Sequence, residues 1–331
     1  MSLTLSPSPV LASILEAIGH TPLVRLRLPG VPQRVELWGK CEWFNPGGSV
    51  KDRAALSIVE EGERRGALRP GRTIIDSSSG NTAVGLALVG RAKGYPVELV
   101  MPRSVGEERL RLCRAYGARI VFTDALSGSD GAIVKAREMV SAEPDRYFYA
   151  DQYRNPANVL AHYRTTGPEI WDQTGGRVTH FVGGLGTSGT VVGVSRFLRE
   201  RNPRVRVVAA EPDHALHGLE GLKHMASALV PEIYDPQAHD EKLAVVTEDA
   251  YAVCEETLRA DGLLVGHSAG AALWAAREVA RTLGSGTVVA LLPDGGERYL
   301  SARETSRGGR GGPQGPPSSE SERGIHSRAS A

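Results

Sequence analysis

Cysteine is scarce: the 331-residue chain has only Cys41, Cys113 and Cys254. They are odd in number and far apart, with no paired spacing suited to zinc, dithiol exchange or a disulfide framework. Reduced thiols in a cytosolic (cytoplasmic) protein and no metal site are therefore expected. Net charge is almost absent too. Lys and Arg number 39 against 38 Asp and Glu, a formal charge of +1, which offers no bulk attraction for nucleic acid. The N-terminal stretch lacks a basic leader, and its apolar part is broken by Glu16, Gly19 and His20, so neither a signal peptide nor a membrane span fits. No internal repeat is visible. What remains is an ordinary globular balance, 41% hydrophobic and 23% charged, on a chain long enough for about two domains.

Short β-branched runs alternate with helical patterns. Residues 72–76, 97–101, 119–123, 179–182, 205–210 and 287–292 read as strands. Between them, 52–65, 81–93, 107–116, 130–141, 189–199, 249–259 and 269–283 read as helices. Such alternation predicts βαβ units, hence an α/β fold with mainly parallel sheets flanked by helices. From Ser301 onward the chain turns to Gly, Ser, Pro, Arg and Glu. That composition cannot bury enough apolar surface to offset ordering, and 303–331 is expected to be a disordered tail.

Three segments have residues suited to chemistry. In Asn45-Pro46-Gly47-Gly48-Ser49-Val50-Lys51-Asp52-Arg53 a Gly-rich turn enters a helix, with Ser49 a candidate N-cap and Lys51 in the first turn. There the positive helix end and burial both lower a lysine's pKa and favour imine chemistry; a solvated lysine at a helix start fits the same spacing. Gly183 to Thr190 follows a strand and opens a helix, a ready phosphate site. The same residues spell Gly184-x-Gly186-x-x-Gly189 with Glu211 about twenty residues on, so a dinucleotide site stays open. Ser77 to Thr82 forms a second nest of hydroxyls and amides, suited to a carboxylate or to plain capping. Ser268, in Gly266-His267-Ser268-Ala269-Gly270, sits at a further helix start, where an N-cap is the simplest role. No ordered acid and histidine partners follow it, which removes an esterase elbow.

Taken in order, these segments resemble the cysteine synthase and cystathionine β-synthase family, the tryptophan-synthase-like (fold type II) pyridoxal 5′-phosphate enzymes, and within it the B-type cysteine synthases. The resemblance covers about residues 12–300. It runs through Ile18-Gly-His-Thr-Pro-Leu-Val24, Asn45 to Arg53, Ser78-Ser-Gly-Asn-Thr82, Asp151-Gln-Tyr-Arg-Asn-Pro-Ala-Asn158, Gly184-Leu-Gly-Thr-Ser-Gly-Thr190, Gly266 to Gly270 and Pro293-Asp-Gly-Gly-Glu-Arg-Tyr-Leu300. It implies a small mobile domain over 41–155 and a large one over 1–40 plus 156–302, assembled as a homodimer. Lys51 would hold the cofactor as an imine and move the α-proton; Gly186, Thr187, Ser188, Gly189 and Thr190 would hold its phosphate. Asn81 would touch the ring hydroxyl and Ser268 the pyridine nitrogen, while Ser78, Ser79, Thr82 and Gln152 would clamp the substrate carboxylate. A neutral serine on that nitrogen makes a weaker electron sink than aspartate, favouring β-elimination and addition through an aminoacrylate. The implied activity is replacement on O-acetylserine or O-phosphoserine by sulfide or another sulfur donor. Lys223 would meet a phosphate leaving group near the place where an arginine is typical of the O-phosphoserine-using branch. Cystathionine formation from serine and homocysteine is the alternative, because 41–45 and 151–155 also match that branch.

Overall fold

The computed structural model describes residues 10–300; the predicted tail over 303–331 lies outside them. Ten strands are present among these residues: β1 Leu23–Leu26, β2 Val35–Cys41, β3 Thr73–Ser77, β4 Val97–Pro102, β5 Arg119–Thr123, β6 Tyr147–Tyr149, β7 His180–Gly184, β8 Arg206–Pro212, β9 Glu241–Val245 and β10 Gly286–Leu292. The α-helices are α1 Lys51–Arg64, α2 Asn81–Lys93, α3 Glu107–Ala115, α4 Gly128–Ala142, α5 Pro156–Ala161, α6 Gly167–Gln173, α7 Gly189–Arg201, α8 Thr247–Asp261 and α9 His267–Thr282. The expected strands and helices all form, with ends shifted by one or two residues. Strands β1, β2, β6 and β9 were not among those expected. They are short, or interrupted by charge as in Val35-Glu-Leu-Trp-Gly-Lys-Cys41, and so lack a clean apolar period.

The strands make a four-stranded sheet, β5-β4-β3-β6, all parallel, and a six-stranded sheet, β1-β2-β10-β7-β8-β9, parallel except for the β1–β2 pair. Strand β10 sends Val288, Ala290 and Leu292 into one core and Val289 and Leu291 into another. Both faces are covered, which is why the strand reads as a continuous apolar run rather than an alternation. Helix α2 is buried from Thr82 to Gly90, and its sequence is accordingly apolar on all sides. At Gly85 a Cβ would lie 3.1 Å from the Lys51 carbonyl oxygen and 3.2 Å from Ala55 Cβ. Glycine there lets α2 lie directly against the start of α1. All three cysteines are buried and outside any disulfide, and burial holds Cys41 at about 12 and Cys113 at about 11, values that leave those two thiols unreactive. Among the described residues no helix is long and apolar enough to cross a membrane.

Candidate active site

Lys51 is the first residue of α1. The turn before it closes through Gly48, at φ +77, whose amide donates to the Asn45 carbonyl at 2.7 Å. Ser49 is not the N-cap that spacing suggested. Val50 holds that position in helical geometry and has no side-chain cap bond, while the Ser49 hydroxyl accepts from the Lys51 amide at 3.2 Å. Loss of solvation holds the Lys51 ammonium below the ordinary lysine range, partly offset by attraction to Asp294 and Glu42. A neutral amine, the nucleophilic form, is thereby brought nearer to neutral pH.

The loop from β7 into α7 is a cradle. Ser188 takes a left-handed conformation at φ 69 as N-cap and makes no side-chain cap bond; its hydroxyl donates to the Thr187 carbonyl at 2.5 Å instead. The first amides of α7 therefore face outward without a side-chain acceptor, as a bound anion requires. Gly186 and Gly189 pass so close to the Gly221 carbonyl and the Asn158 amide that a Cβ would collide with either. Asn158 Nδ2 donates to Thr187 Oγ1 at 3.1 Å and to the Gln152 carbonyl at 2.9 Å, tying the cradle to the segment that carries Gln152. Thr190 Oγ1 lies 3.2 Å from His162 Nε2, and His162 Nδ1 lies 2.9 Å from Thr166 Oγ1. Burial, then the nearby Lys51 and Arg53 charges, press the imidazole well below its usual range, so a neutral ring fills this place. His162 opens a π-helical turn, His162–Thr166, a distortion frequent at functional sites. No sequence period signals such a turn.

The loop from β3 into α2 ends on Gly80, an N-cap that again makes no side-chain cap bond. Ser78 Oγ accepts from the Gly80 amide at 3.3 Å, and Ser79 is half-buried beside it. Thr82 donates its one hydroxyl proton to Gln152 Oε1 at 2.6 Å, joining two residues expected on the same carboxylate. Asn81 is held between Asp294 and Arg298. Neither of these was assigned a role from sequence, although both stood inside a quoted motif. Ser268 is buried, the second residue of α9, whose N-cap is Gly266 and lacks a side-chain bond; the N-cap role expected for Ser268 is corrected accordingly. The Gly266 amide donates to the Asp294 carbonyl at 3.1 Å, which brings α9 to the same place. Lys223 lies further out. Its amide donates to Leu185 O at 2.8 Å, its Nζ sits 5.1 Å from the Tyr153 ring centroid, and it shares a cleft with Arg137, Arg154 and Glu232.

The dinucleotide reading fails on Glu211. Its carboxylate pairs with Lys242 at 2.7 Å and accepts from the Met225 amide at 3.1 Å, so it is engaged by protein where a ribose would need it. The residues do fit pyridoxal phosphate: an uncapped cradle for a dianion, a solvent-depleted lysine, and a buried neutral hydroxyl on α9. Fold and site thus define an enzyme of the pyridoxal-phosphate class, and the family model described as "Pyridoxal-phosphate dependent enzyme" matches residues 14–294. Within that class the chain belongs to the cysteine synthase family. It is 50% identical to a cysteine synthase of Aquifex aeolicus over 87% of this chain and 90% of that protein. It is 41% identical to cysteine synthase B of Escherichia coli over 88% and 95%. The crystal structure of cysteine synthase from Entamoeba histolytica superposes with a TM-score of 0.86 at 36% identity, covering 91% of this chain and 92% of that one.

Proposed function

We propose that the chain makes L-cysteine by replacing the β-substituent of an activated serine, O-acetylserine or O-phosphoserine, with sulfide or another sulfur donor. The observation that carries this reading is the linked path Thr82–Gln152–Asn158–Thr187. It joins a carboxylate loop to a phosphate cradle beside a lysine held below its ordinary range. Lys51 holds the cofactor covalently and then moves the proton at the substrate α-carbon. Gly186 to Thr190 bind the phosphate through first-turn amides, with Thr190 steadied by neutral His162. Ser268 faces the ring nitrogen as a neutral partner. Ser78, Ser79, Asn81, Thr82 and Gln152 hold the amino-acid donor. When bound, the cofactor withdraws electrons from the donor's α-carbon, which lets the β-substituent leave.

Lys223 is proposed to meet the phosphate of O-phosphoserine, because it lies beside Tyr153, next in sequence to Gln152, in a cleft with two arginines. We also propose that 41–155 moves as a small domain against 1–40 plus 156–302, and that the working protein is a cytosolic homodimer. Exposed Leu11, Ile14 and Phe44 offer apolar surface for a second copy.

One titration tests the chemistry. The purified holoenzyme is expected to absorb near about 410 nm and to shift to longer wavelength with O-acetylserine or O-phosphoserine before any sulfur donor is added. Lys51→Ala should lose both the band and cysteine formation, and Lys223→Met should lose about tenfold in kcat/KM for O-phosphoserine relative to O-acetylserine, the value of one charge-assisted contact. A folded protein without a visible band even after added cofactor would end the reading, and an unchanged donor ratio in Lys223→Met would end the role of Lys223.

A further inference from the structure

After β10 the chain runs past the Lys51 turn, the start of α2 and the start of α9. Val50 N donates to Pro293 O at 2.9 Å, and Gly266 N to Asp294 O at 3.1 Å; Ser49 pairs with Asp294 and Val265 with Gly295 as isolated bridges. This segment is therefore laced to both the Lys51 turn and the start of α9. Two of its side chains close on Asn81. The Asp294 carboxylate, fully buried, accepts from Asn81 Nδ2 at 2.7 Å, and Arg298 Nη1 donates to Asn81 Oδ1 at 2.8 Å. Arg298 Nη2 donates to the Gly47 carbonyl as well, and a Cβ on Gly48 would run into the same guanidinium. One of the two glycines before Lys51 is thus required by Arg298 as well as by its own positive φ.

The two ends of a primary amide are nearly equal in size and opposite in hydrogen-bonding character, so packing alone does not choose between its flips. A carboxylate only accepts and a guanidinium only donates. Asp294 on the nitrogen and Arg298 on the oxygen therefore permit one flip and exclude the other, each through a charge-assisted bond. One N–H and one oxygen lone pair of Asn81 remain for whatever occupies the site.

We propose that Asp294 and Arg298 are positioning residues that fix the flip of the Asn81 side-chain amide and lock it to the Gly47-Gly48 turn bearing Lys51. The inference rests on the reading that Asn81 faces the bound cofactor and amino-acid donor. Arg298 then couples the lysine turn to α2: a shift of the turn is transmitted to the Asn81 amide.

The test is a double-mutant cycle on the holoenzyme. Arg298→Met is expected to raise KM for O-acetylserine by about tenfold, the value of one charge-assisted bond, with kcat changed less. In an Asn81→Ala background the same substitution should change KM by less than about twofold, because the group it acts through is gone. Equal factors in both backgrounds would mean Arg298 acts through general structure, and the proposal falls. Arg298→Lys keeps the charge without the two-armed fork and should lose most of the same factor; full recovery of wild-type KM in that variant also overturns it. A second readout does not depend on turnover. With the side-chain amide of Asn81 labelled in nitrogen, its N–H protons should exchange with solvent at least about tenfold faster in Arg298→Met and in Asp294→Asn than in the wild type, as expected when a buried hydrogen bond is opened. Unchanged exchange in both variants sinks the idea even if the titration with O-acetylserine succeeds. Changed exchange in a protein that does not respond to O-acetylserine supports it, and leaves the proposed reaction, rather than the grip on Asn81, at fault.

Discussion

Asp52 follows the lysine directly and is fully buried. Its Oδ2 accepts from the Gly47 amide at 2.5 Å, and its Oδ1 is buried without a hydrogen-bond partner among the described residues. Loss of solvation, against the Gly47 bond and the Arg298 charge, pushes its carboxyl up to about 7. A carboxyl raised in the fold favours folding while neutral. Its contribution is complete below its ordinary range near about 4 and is lost as pH rises to about 7. Asp52→Asn keeps an acceptor for Gly47 and removes that loss. The variant is expected to match the wild type near pH 4 and to exceed it by up to about 4 kcal/mol at pH 8, each pH unit of displacement being worth about 1.4 kcal/mol. Urea unfolding of both holoenzymes across pH 4–8 checks this; parallel curves would show that Asp52 does not titrate with folding. Local sequence marked Lys51 through its turn glycines and helix start. It could not mark Asp52, Asp294 or His162, whose character comes from burial and from partners distant in the chain.

The start of α1 is fastened by a buried ionic network. Arg53 Nε donates to Glu42 Oε2 at 2.7 Å, and its Nη1 donates to Glu169 Oε1 at 2.6 Å. Lys40 Nζ reaches Glu169 Oε2 at 2.6 Å. The element bearing Lys51 is thereby held to β2 and α6, and against the upward push of lost solvation Arg53 and Lys40 together hold Glu169 down at about 2. Glu42→Ala removes one of the two carboxylates on Arg53 and leaves the guanidinium buried with Glu169 and Thr21. Such a loss typically costs about 3–5 kcal/mol, so denaturant unfolding should show a loss of that order, and a loss below about 1 kcal/mol would mean the network relaxes around the gap. This network also explains what the pattern of β2 concealed. Glu36 and Lys40 break the apolar period, and the Glu169 that compensates the lysine lies 129 residues away. Strand β10 and helix α2 were legible because residues 288–292 and 83–90 are buried on all sides and apolar throughout.

The site draws on helices packed against two different sheets. Lys51, Asn81 and Thr82 stand on helices packed with the four-stranded sheet, whose core includes Ala55, Ile58, Leu86 and Leu99. The phosphate cradle and Ser268 stand on helices that cover the six-stranded sheet. Side-chain bonds from Thr82 through Gln152 and Asn158 to Thr187 cross between them. No period in the sequence reports that crossing, because Asn158 and Thr187 meet only once both sheets have formed. A donor carboxylate that draws on Thr82 and Gln152 competes with the bond between them, so binding is expected to pull the proposed 41–155 domain inward and to exclude water. Small-angle scattering on the holoenzyme reads this and the assembly together. The particle should have twice the 35.3 kDa chain mass, and its radius of gyration should fall when O-acetylserine is added without a sulfur donor. A single-chain mass would rule out the dimer, whereas a radius that stays constant while the visible band shifts would show that the carboxylate loop closes by side-chain rearrangement alone.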